Sequence, residues 1–254
     1  MLGDEVRIEV NGRDAGEAEV SLLEHEGWGH FTAMQVRGGR ARGLGLHLAR
    51  LAEAHREVYG RALDGEEIRA RIRHALGAQP DASVRVYGYW AGLIVTVRGP
   101  RDMPRRPHSM TALHFQRPLA RLKHVGSWGQ GRFLEAALAA GFDEGLLADE
   151  AGRISEGTVT NVGFWRDGTV LWPDAPKLAG VAMLLLRRHL EAAGVPQAEA
   201  PVCLHDLPSQ DGMILCNARG WAPVGRVDDL MIPQDQAFAG AIAAAFDRCP
   251  WDEI

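Results

Sequence analysis

Two residues have side chains suited to amine chemistry. Lys123 and Lys177 are the only lysines among 28 basic residues, because arginine occupies every other basic position. A guanidinium cannot act as a neutral amine nucleophile, whereas a lysine can lose its proton and form an imine. Each surviving lysine is therefore a candidate for imine chemistry, with chance or a plain surface charge as the alternative.

Groups that could bind an anion lie elsewhere in the chain. The run Gly180-Val181-Ala182 opens an apolar stretch with helical spacing, and the first turn of a helix offers free N–H groups and a favourable dipole to an anion. Arg50, on an earlier predicted helix, could add a planar cation. The alternative for Arg50 is a solvent-facing position on its helix.

The composition excludes several classes of protein. The 254 residues are 46% hydrophobic, with a net charge of −5 and a pI near 6.1, so no global field attracts nucleic acid or an anionic membrane. The amino terminus has no apolar signal region and no run is long enough to cross a bilayer, which predicts a cytoplasmic protein. Three separate cysteines without metal-ligand spacing argue against disulfides and a bound metal.

The residues before 117 alternate between strand and helix patterns. Predicted strands cover Val6–Val10, Phe31–Val36, Val84–Trp90, Leu93–Val97 and Met110–Phe115, and predicted helices run from Leu44 to about Tyr59 and from Gly65 to Leu76. The Pro/Arg-rich segment 99–109 is predicted to be a loop.

The remaining residues form a second mixed pattern. Helices are predicted near Gln130–Ala140, at Gly180–Ala193 and, closing the chain, at Gln236–Phe246; strands are predicted at Gly145–Ala148, Thr158–Trp165, Val170–Trp172, Gly212–Cys216 and Ala222–Val227. The whole is expected to form two α+β domains, residues 1–117 and 123–254, joined by a linker at 118–122.

Several short runs occur in a characteristic order. They are His47-Leu48-Ala49-Arg50-Leu51, Leu122-Lys123-His124, Gly141-Phe142-Asp143-Glu144, the run from Ser155-Glu156-Gly157 to Asn161, Leu178-Ala179-Gly180-Val181, and Asn217-Ala218-Arg219-Gly220 before Pro223-Val224. Together they resemble the class IV, or fold-type IV, aminotransferases that depend on pyridoxal 5′-phosphate. This family includes branched-chain aminotransferases, D-amino-acid aminotransferases and 4-amino-4-deoxychorismate lyases.

The resemblance implies a fold, a cofactor and a set of site residues. The fold would be the two-domain α+β fold of D-amino-acid aminotransferase, and the protein would be a homodimer. Lys123 would form the Schiff base with pyridoxal 5′-phosphate and act as general base, while Glu156 would hold the pyridine nitrogen. The other cofactor-binding residues would be Arg50, Asn161, Gly180, Val181, Ala182, Asn217 and Ala218.

The implied reaction transfers an amino group from an amino acid or amine to a 2-oxo acid. Two alternatives stay open: a lyase of the aminodeoxychorismate type that releases pyruvate, and a non-catalytic relative that binds a metabolite. Ala182 and Met183 replace residues that usually include a threonine, and Trp128 is the aromatic residue nearest to the place of the family's tyrosine. Arg106-Pro107-His108 superficially resembles a carboxylate trap of D-amino-acid aminotransferases, but it is predicted to be a solvated loop.

Overall fold

The computed structural model describes residues 6–17 and 27–254, which form two compact units. The first unit comprises Met1–Asp102, Leu122–Gly126 and Pro250–Ile254, apart from the residues outside that description; the second comprises Met103–Arg121 and Ser127–Cys249. Each unit combines a sheet with helices. The predicted boundaries at 117 and 123 differ from this division, which groups Lys123 and the last five residues with the first unit, and as folding domains they stay a prediction.

The first unit is built on an antiparallel sheet. Its strands are β1 (Arg7–Val10), β2 (Arg13–Asp14), β3 (His30–Arg37), β4 (Arg40–Arg42), β5 (Ala82–Tyr89), β6 (Gly92–Arg98) and β16 (Trp251–Glu253). Their order in the sheet is β16-β4-β3-β5-β6-β1-β2. The alternation of buried and partly exposed residues along β3 gives the sheet one face that is buried in the core.

Two helices cover that face. Helix α1 (Leu44–Tyr59) lies between Gly43 and Gly60, whose φ angles of 65° and 66° suit glycine at both ends. Helix α2 (Gly65–Leu76) starts at Asp64, whose side chain accepts a hydrogen bond from Glu66 N at 3.0 Å. The core between helices and sheet contains Met34, Val36, Leu44, Leu51, Ile68, Ile72, Val84 and Val86.

The second unit has a larger mixed sheet. Its strands are β7 (His108–His114), β8 (Glu144–Ala148), β9 (Ile154–Gly157), β10 (Asn161–Arg166), β11 (Thr169–Pro173), β12 (Gln197–Ala200), β13 (Gly212–Asn217), β14 (Gly220–Val227) and β15 (Leu230–Met231). The order is β12-β11-β10-β13-β14-β7-β8-β9, with β15 pairing to β14. The pairs β7–β8, β7–β14 and β11–β12 are parallel and the others are antiparallel.

The helices of the second unit are α3 (Trp128–Ala139), α4 (Val181–Ala192) and α5 (Gln236–Asp247), with a 3-10 helix at Leu204–Ser209. Helices α4 and α5 share a core with the sheet that includes Trp172, Met183, Leu186, Phe238 and Ile242. A second cluster includes Met110, Leu146, Phe164, Leu215 and Val224. Across the described residues, every helix is too short or too polar to cross a lipid bilayer.

Most predicted elements are confirmed, and α2 has the predicted bounds. The strand predicted at Thr158–Trp165 is wrong in its first part: β10 begins at Asn161, because residues 158–160 bend around a buried carboxylate described below. The predicted closing helix is also not the last element. Strand β16 follows it and pairs with β4, which brings the carboxyl terminus back to the first unit.

Candidate functional site

Lys123 is held against the start of β3 by backbone hydrogen bonds. Phe31 N donates to Lys123 O at 2.8 Å, and Val125 N donates to Gly29 O at 2.9 Å. On the side chain, Lys123 Nζ lies 4.9 Å from the centre of the Phe31 ring, which also stacks on Tyr87 at 5.3 Å between centroids. The ring can attract the ammonium form of Lys123 through a cation–π interaction.

Three side chains form a hydrogen-bonded group between β3 and α1. Thr32 Oγ1 lies 2.7 Å from His47 Nδ1, and Arg50 Nη2 donates to Thr32 Oγ1. Arg50 Nη2 also lies 3.3 Å from His47 Nδ1. Because a guanidinium only donates, Nδ1 of His47 must accept, and the Thr32 hydroxyl must donate to it. His47 is therefore neutral when its Nδ1 accepts this hydrogen bond from Arg50.

The electrostatics of this group are unbalanced. Burial lowers the pKa of Arg50 from 12.5 to about 10, so the guanidinium stays charged at neutral pH although the site disfavours the charge. Within residues 6–17 and 27–254, Arg50 makes no ion pair, and its buried Nε has no hydrogen-bond partner. Burial first, then the charges of Arg50 and Lys123, lower the pKa of His47 well below 6.5. The charges of Arg50 and Lys123 thus both disfavour protonation of the His47 imidazole.

Glu156, in the second unit, is buried, and each of its two carboxylate oxygens accepts a hydrogen bond. Arg117 Nε donates to Glu156 Oε1 at 3.0 Å, and Leu178 N donates to Glu156 Oε2 at 3.1 Å. Both side chains of the ion pair are 5% exposed. Arg117 Nη2 also donates to the carbonyl of Ala120. The sequence did not single out Arg117, since an arginine before a proline gives no sign that it is buried.

A second buried carboxylate shapes the chain between β9 and β10. Glu144 Oε1 accepts hydrogen bonds from Val159 N at 2.8 Å, Thr160 Oγ1 at 2.8 Å and Thr158 Oγ1 at 3.4 Å. Burial is the main cause that raises the pKa of Glu144 above 4.5, and these donors oppose it. The same carboxylate contributes, after burial, to raising the pKa of Cys216 to about 12, which keeps that thiol neutral.

The turn before α4 brings Asn161 and Gly180 together. Asn161 Nδ2 donates to Leu178 O at 2.8 Å, and a Cβ on Gly180 would overlap Asn161 Oδ1. Gly180 begins α4 without a side-chain cap, while Val181 and Ala182 in the first turn are buried. The first N–H groups of a helix lack acceptors within the helix, so this buried end can bind an anion.

The remaining predicted residues have more ordinary surroundings. Asn217 ends β13 and Ala218 lies in the turn to β14; Asn217 Oδ1 accepts from Arg219 N at 2.8 Å and Nδ2 donates to Val159 O at 3.3 Å. Arg106 is exposed and pairs with Asp143, with Nη1 at 2.9 Å from Oδ2. Trp128, at the start of α3, is 78% exposed in this chain.

The expectation that no metal is bound stays a prediction. In the described part of the chain, Cys203, His205 and Asp206 place potential ligand atoms within 4.8 Å of one another. Asp206 Oδ2 already accepts a hydrogen bond from Cys203 N at 2.8 Å, which caps the 3-10 helix. The group is therefore explained by local structure.

Known proteins that are similar to this chain belong to one family. A family model for amino-transferase class IV matches residues 29–227, most of the chain. The chain belongs to the class IV aminotransferase family. The predicted fold-type IV architecture is thereby confirmed, and the family depends on pyridoxal phosphate. Among curated proteins, none matches the chain.

Solved structures of the family are similar over nearly the whole chain. A 4-amino-4-deoxychorismate lyase from Pseudomonas aeruginosa is 30% identical, with a TM-score of 0.80, and the match covers 95% of this chain and 98% of that one. A hypothetical aminotransferase from Mycobacterium tuberculosis in its PLP-bound form is 22% identical, with a TM-score of 0.76 and coverages of 89% and 92%. A branched-chain aminotransferase from Thermoproteus uzoniensis is 17% identical, with a TM-score of 0.83 and coverages of 96% and 94%.

The residues of the chain fit the family's cofactor. Pyridoxal phosphate presents an aldehyde, a basic ring nitrogen and an anionic phosphate. Lys123 offers an amine, the buried Glu156 offers a carboxylate, and Arg50 has a guanidinium without an ion-pair partner in the described residues. The buried, uncapped start of α4 offers backbone donors for a phosphate.

Proposed function

We infer that this protein is a pyridoxal-phosphate enzyme that acts on the amino group of a small molecule through Lys123. The observation that carries this proposal is the group Arg50, His47 and Lys123. Arg50 lacks a carboxylate partner within the described residues. Burial first, then the charges of Arg50 and Lys123, lower the pKa of His47. An anion beside Arg50 would relieve the unbalanced charge, and Lys123 supplies the amine that an aldehyde cofactor requires.

Each residue has a distinct role in this proposal. Pyridoxal phosphate, when bound, supplies an electron sink for the charge that develops at the substrate carbon. Lys123 provides the amine that bonds the cofactor and then moves the proton at that carbon. Glu156 holds a proton at the ring nitrogen. Arg50 and the backbone N–H groups at Gly180–Ala182 bind the phosphate, with contacts from Asn217 and Ala218; Asn161 supports the Gly180 turn.

The overall reaction proposed is amino-group transfer from an amino acid or amine to a 2-oxo acid. A lyase that releases pyruvate from aminodeoxychorismate is a second candidate. The observation that favours it is the 30% identity to the Pseudomonas aeruginosa lyase over 95% of the chain, higher than the identities of the two aminotransferases described above.

A two-substrate assay separates the candidates. Purified protein with pyridoxal phosphate is supplied either with aminodeoxychorismate, with pyruvate as the readout, or with amino donors and 2-oxoglutarate, with glutamate as the readout. Pyruvate without glutamate formation would replace the transferase by the lyase. A protein that binds pyridoxal phosphate but turns over neither substrate set, nor other donors, would support the non-catalytic relative.

The role of Lys123 has a direct chemical test. We expect borohydride reduction of the protein with pyridoxal phosphate to fix the cofactor on the peptide that contains Lys123, and Lys123→Ala to abolish both the label and the activity. Lys177→Ala is the matched control, because Lys177 lies near Glu199, with its Nζ 3.5 Å from Oε1. Label that stays in Lys123→Ala and disappears in Lys177→Ala would overturn the assignment.

We also propose that the protein is a homodimer, as the family resemblance implies. Sedimentation equilibrium with and without pyridoxal phosphate would test this. A monomer at micromolar concentration in both conditions would contradict it.

A further inference from the structure

Arg117 is the partner of Glu156 inside the second unit, and neither side chain reaches solvent to a significant extent. The Nε–Oε1 distance is 3.0 Å and both side chains are 5% exposed. A buried ion pair is weak evidence for stability, because desolvation of two charges offsets most of their attraction. Its presence beside the proposed ring-nitrogen residue therefore needs a functional explanation.

The geometry leaves Glu156 able to bind one more group. One oxygen accepts from Arg117 and the other from Leu178 N at 3.1 Å. Each carboxylate oxygen can accept about two hydrogen bonds, so a further donor can still be accepted. The two existing bonds fix the plane of the carboxylate before any cofactor arrives.

Arg117 also decides where a shared proton resides. A neighbouring cation lowers the proton affinity of a carboxylate, whereas burial alone raises it. The Arg117 cation lies in contact with the Glu156 carboxylate. In a hydrogen bond between Glu156 and the ring nitrogen, this charge favours the proton on the nitrogen.

The guanidinium of Arg117 also contacts the segment that precedes Lys123. Arg117 Nη2 donates to the carbonyl of Ala120, three residues before Lys123 in the sequence. Glu156, through Leu178 N, contacts the segment that leads to Gly180 and α4. Arg117 and Glu156 thus join two segments to which cofactor contacts are assigned.

We propose that Arg117 is a positioning residue that pairs with Glu156 and orients its carboxylate for the cofactor's ring nitrogen. This inference rests on the proposed function, since it requires that pyridoxal phosphate binds. It predicts that Arg117→Met affects the ring nitrogen in the same direction as Glu156→Gln, because each variant breaks the ion pair that favours a proton on the nitrogen.

The test follows protonation of the cofactor in the full-length protein. NMR of bound pyridoxal phosphate with an isotope-labelled ring nitrogen, titrated with pH, would be compared for wild type, Arg117→Met, Arg117→Lys, Glu156→Gln and the double variant. We expect both neutral single variants to lower the midpoint of nitrogen protonation by about one to three pH units. The double variant should have a midpoint no lower than that of Glu156→Gln, and Arg117→Lys should stay near wild type because it keeps the charge.

Two comparisons keep the test decisive if Arg117→Met does not fold. The double variant removes both charges and is expected to fold. A midpoint in the double variant below that of Glu156→Gln would show that Arg117 acts independently of Glu156 and would overturn the proposal. The control is Arg106→Met, which removes an exposed pair with Asp143 in the same unit and should leave the midpoint unchanged.

The outcomes also separate this inference from the proposed function. If the wild type binds no pyridoxal phosphate, both fail. If it binds the cofactor and Arg117→Met lowers thermal stability while the midpoint stays at the wild-type value, the proposed function stands and Arg117 has a structural role only.

Discussion

Two arginines that lie largely out of water have opposite electrostatic surroundings. Arg117 contacts the carboxylate of Glu156 at 3.0 Å. Arg50 contacts only the neutral Thr32 and His47, and within the described residues it makes no ion pair. Burial lowers the pKa of Arg50 to about 10.

The difference indicates which of the two arginines can still bind an anionic ligand. A buried charge is tolerated when it is paired, so Arg117 is already satisfied inside the folded chain. Arg50 is incompletely satisfied, and an anionic ligand would provide the missing partner. Arg117 should therefore matter more to the stability of the protein without cofactor, and Arg50 more to the affinity for the cofactor.

The largest effect should come from breaking the pair in the protein without cofactor. Arg117→Met leaves the buried Glu156 without its cation, and we expect the free energy of unfolding to fall by about 3–5 kcal/mol. Arg50→Met removes a charge that lacks an ion-pair partner, so its effect on the empty protein should stay below about 1 kcal/mol. Urea unfolding of both apo-proteins would measure the two losses of unfolding free energy. Equal losses would show that the paired Arg117 is no more important to the stability of the apo-protein than Arg50.

The affinity for the cofactor should depend more on Arg50 than on Arg117. Loss of one charge-assisted contact is equivalent to roughly 1.5–3 kcal/mol, so Arg50→Ala should weaken pyridoxal phosphate binding by about one to two powers of ten. Activity at saturating cofactor should survive, and Arg50→Lys should rescue poorly because it lacks the planar fork. The measurement is a titration of apo-protein with cofactor for all three proteins. Identical affinities would mean that Arg50 has no contact with the phosphate.

Glu144 is an acidic counterpart of Arg50, since its direct donors are neutral groups. Its pKa is raised above 4.5, so its contribution to stability is fully present below pH 4.5 and is lost as pH rises through the raised value. Glu144→Gln keeps an acceptor for Val159 N and Thr160 Oγ1 but cannot ionise. The unfolding free energy of the variant should therefore fall less with rising pH, by up to about 1.4 kcal/mol per pH unit within that window.

Chemical denaturation of wild type and Glu144→Gln between pH 4 and 9 would measure this difference. A constant offset between the two proteins at every pH would show that Glu144 has no raised pKa in the folded state.

The smallest effect is expected at the exposed pair that parallels Arg117 and Glu156. Arg106 and Asp143 are close in space, but Arg106 is 59% exposed and water screens the pair. Arg106→Ala should change the unfolding free energy by less than about 1 kcal/mol and leave cofactor affinity unchanged. A marked rise in KM for a carboxylate substrate would instead show that Arg106 binds substrate, as its resemblance to a carboxylate trap suggests.

The sequence by itself determined the family, the α+β fold class and most elements. Helix α2 could be placed because its apolar spacing follows a capping aspartate, and these signals are local. Lys123 was a candidate because it is one of two lysines and lies in a recognisable run. These features depend on neighbouring residues in the chain, so they can be predicted without coordinates.

Only the tertiary structure decided which charges are paired. The contact of Arg117 with Glu156 joins residues 39 positions apart, and the donors to Glu144 come from 14 to 16 positions away. The contacts of Glu144 bend residues 158–160 out of the predicted strand, and a different long-range contact, the pairing of β16 with β4, returns the carboxyl terminus to the first unit. Burial and pairing of charges depend on which segments meet in the folded chain, and local sequence patterns do not contain that information.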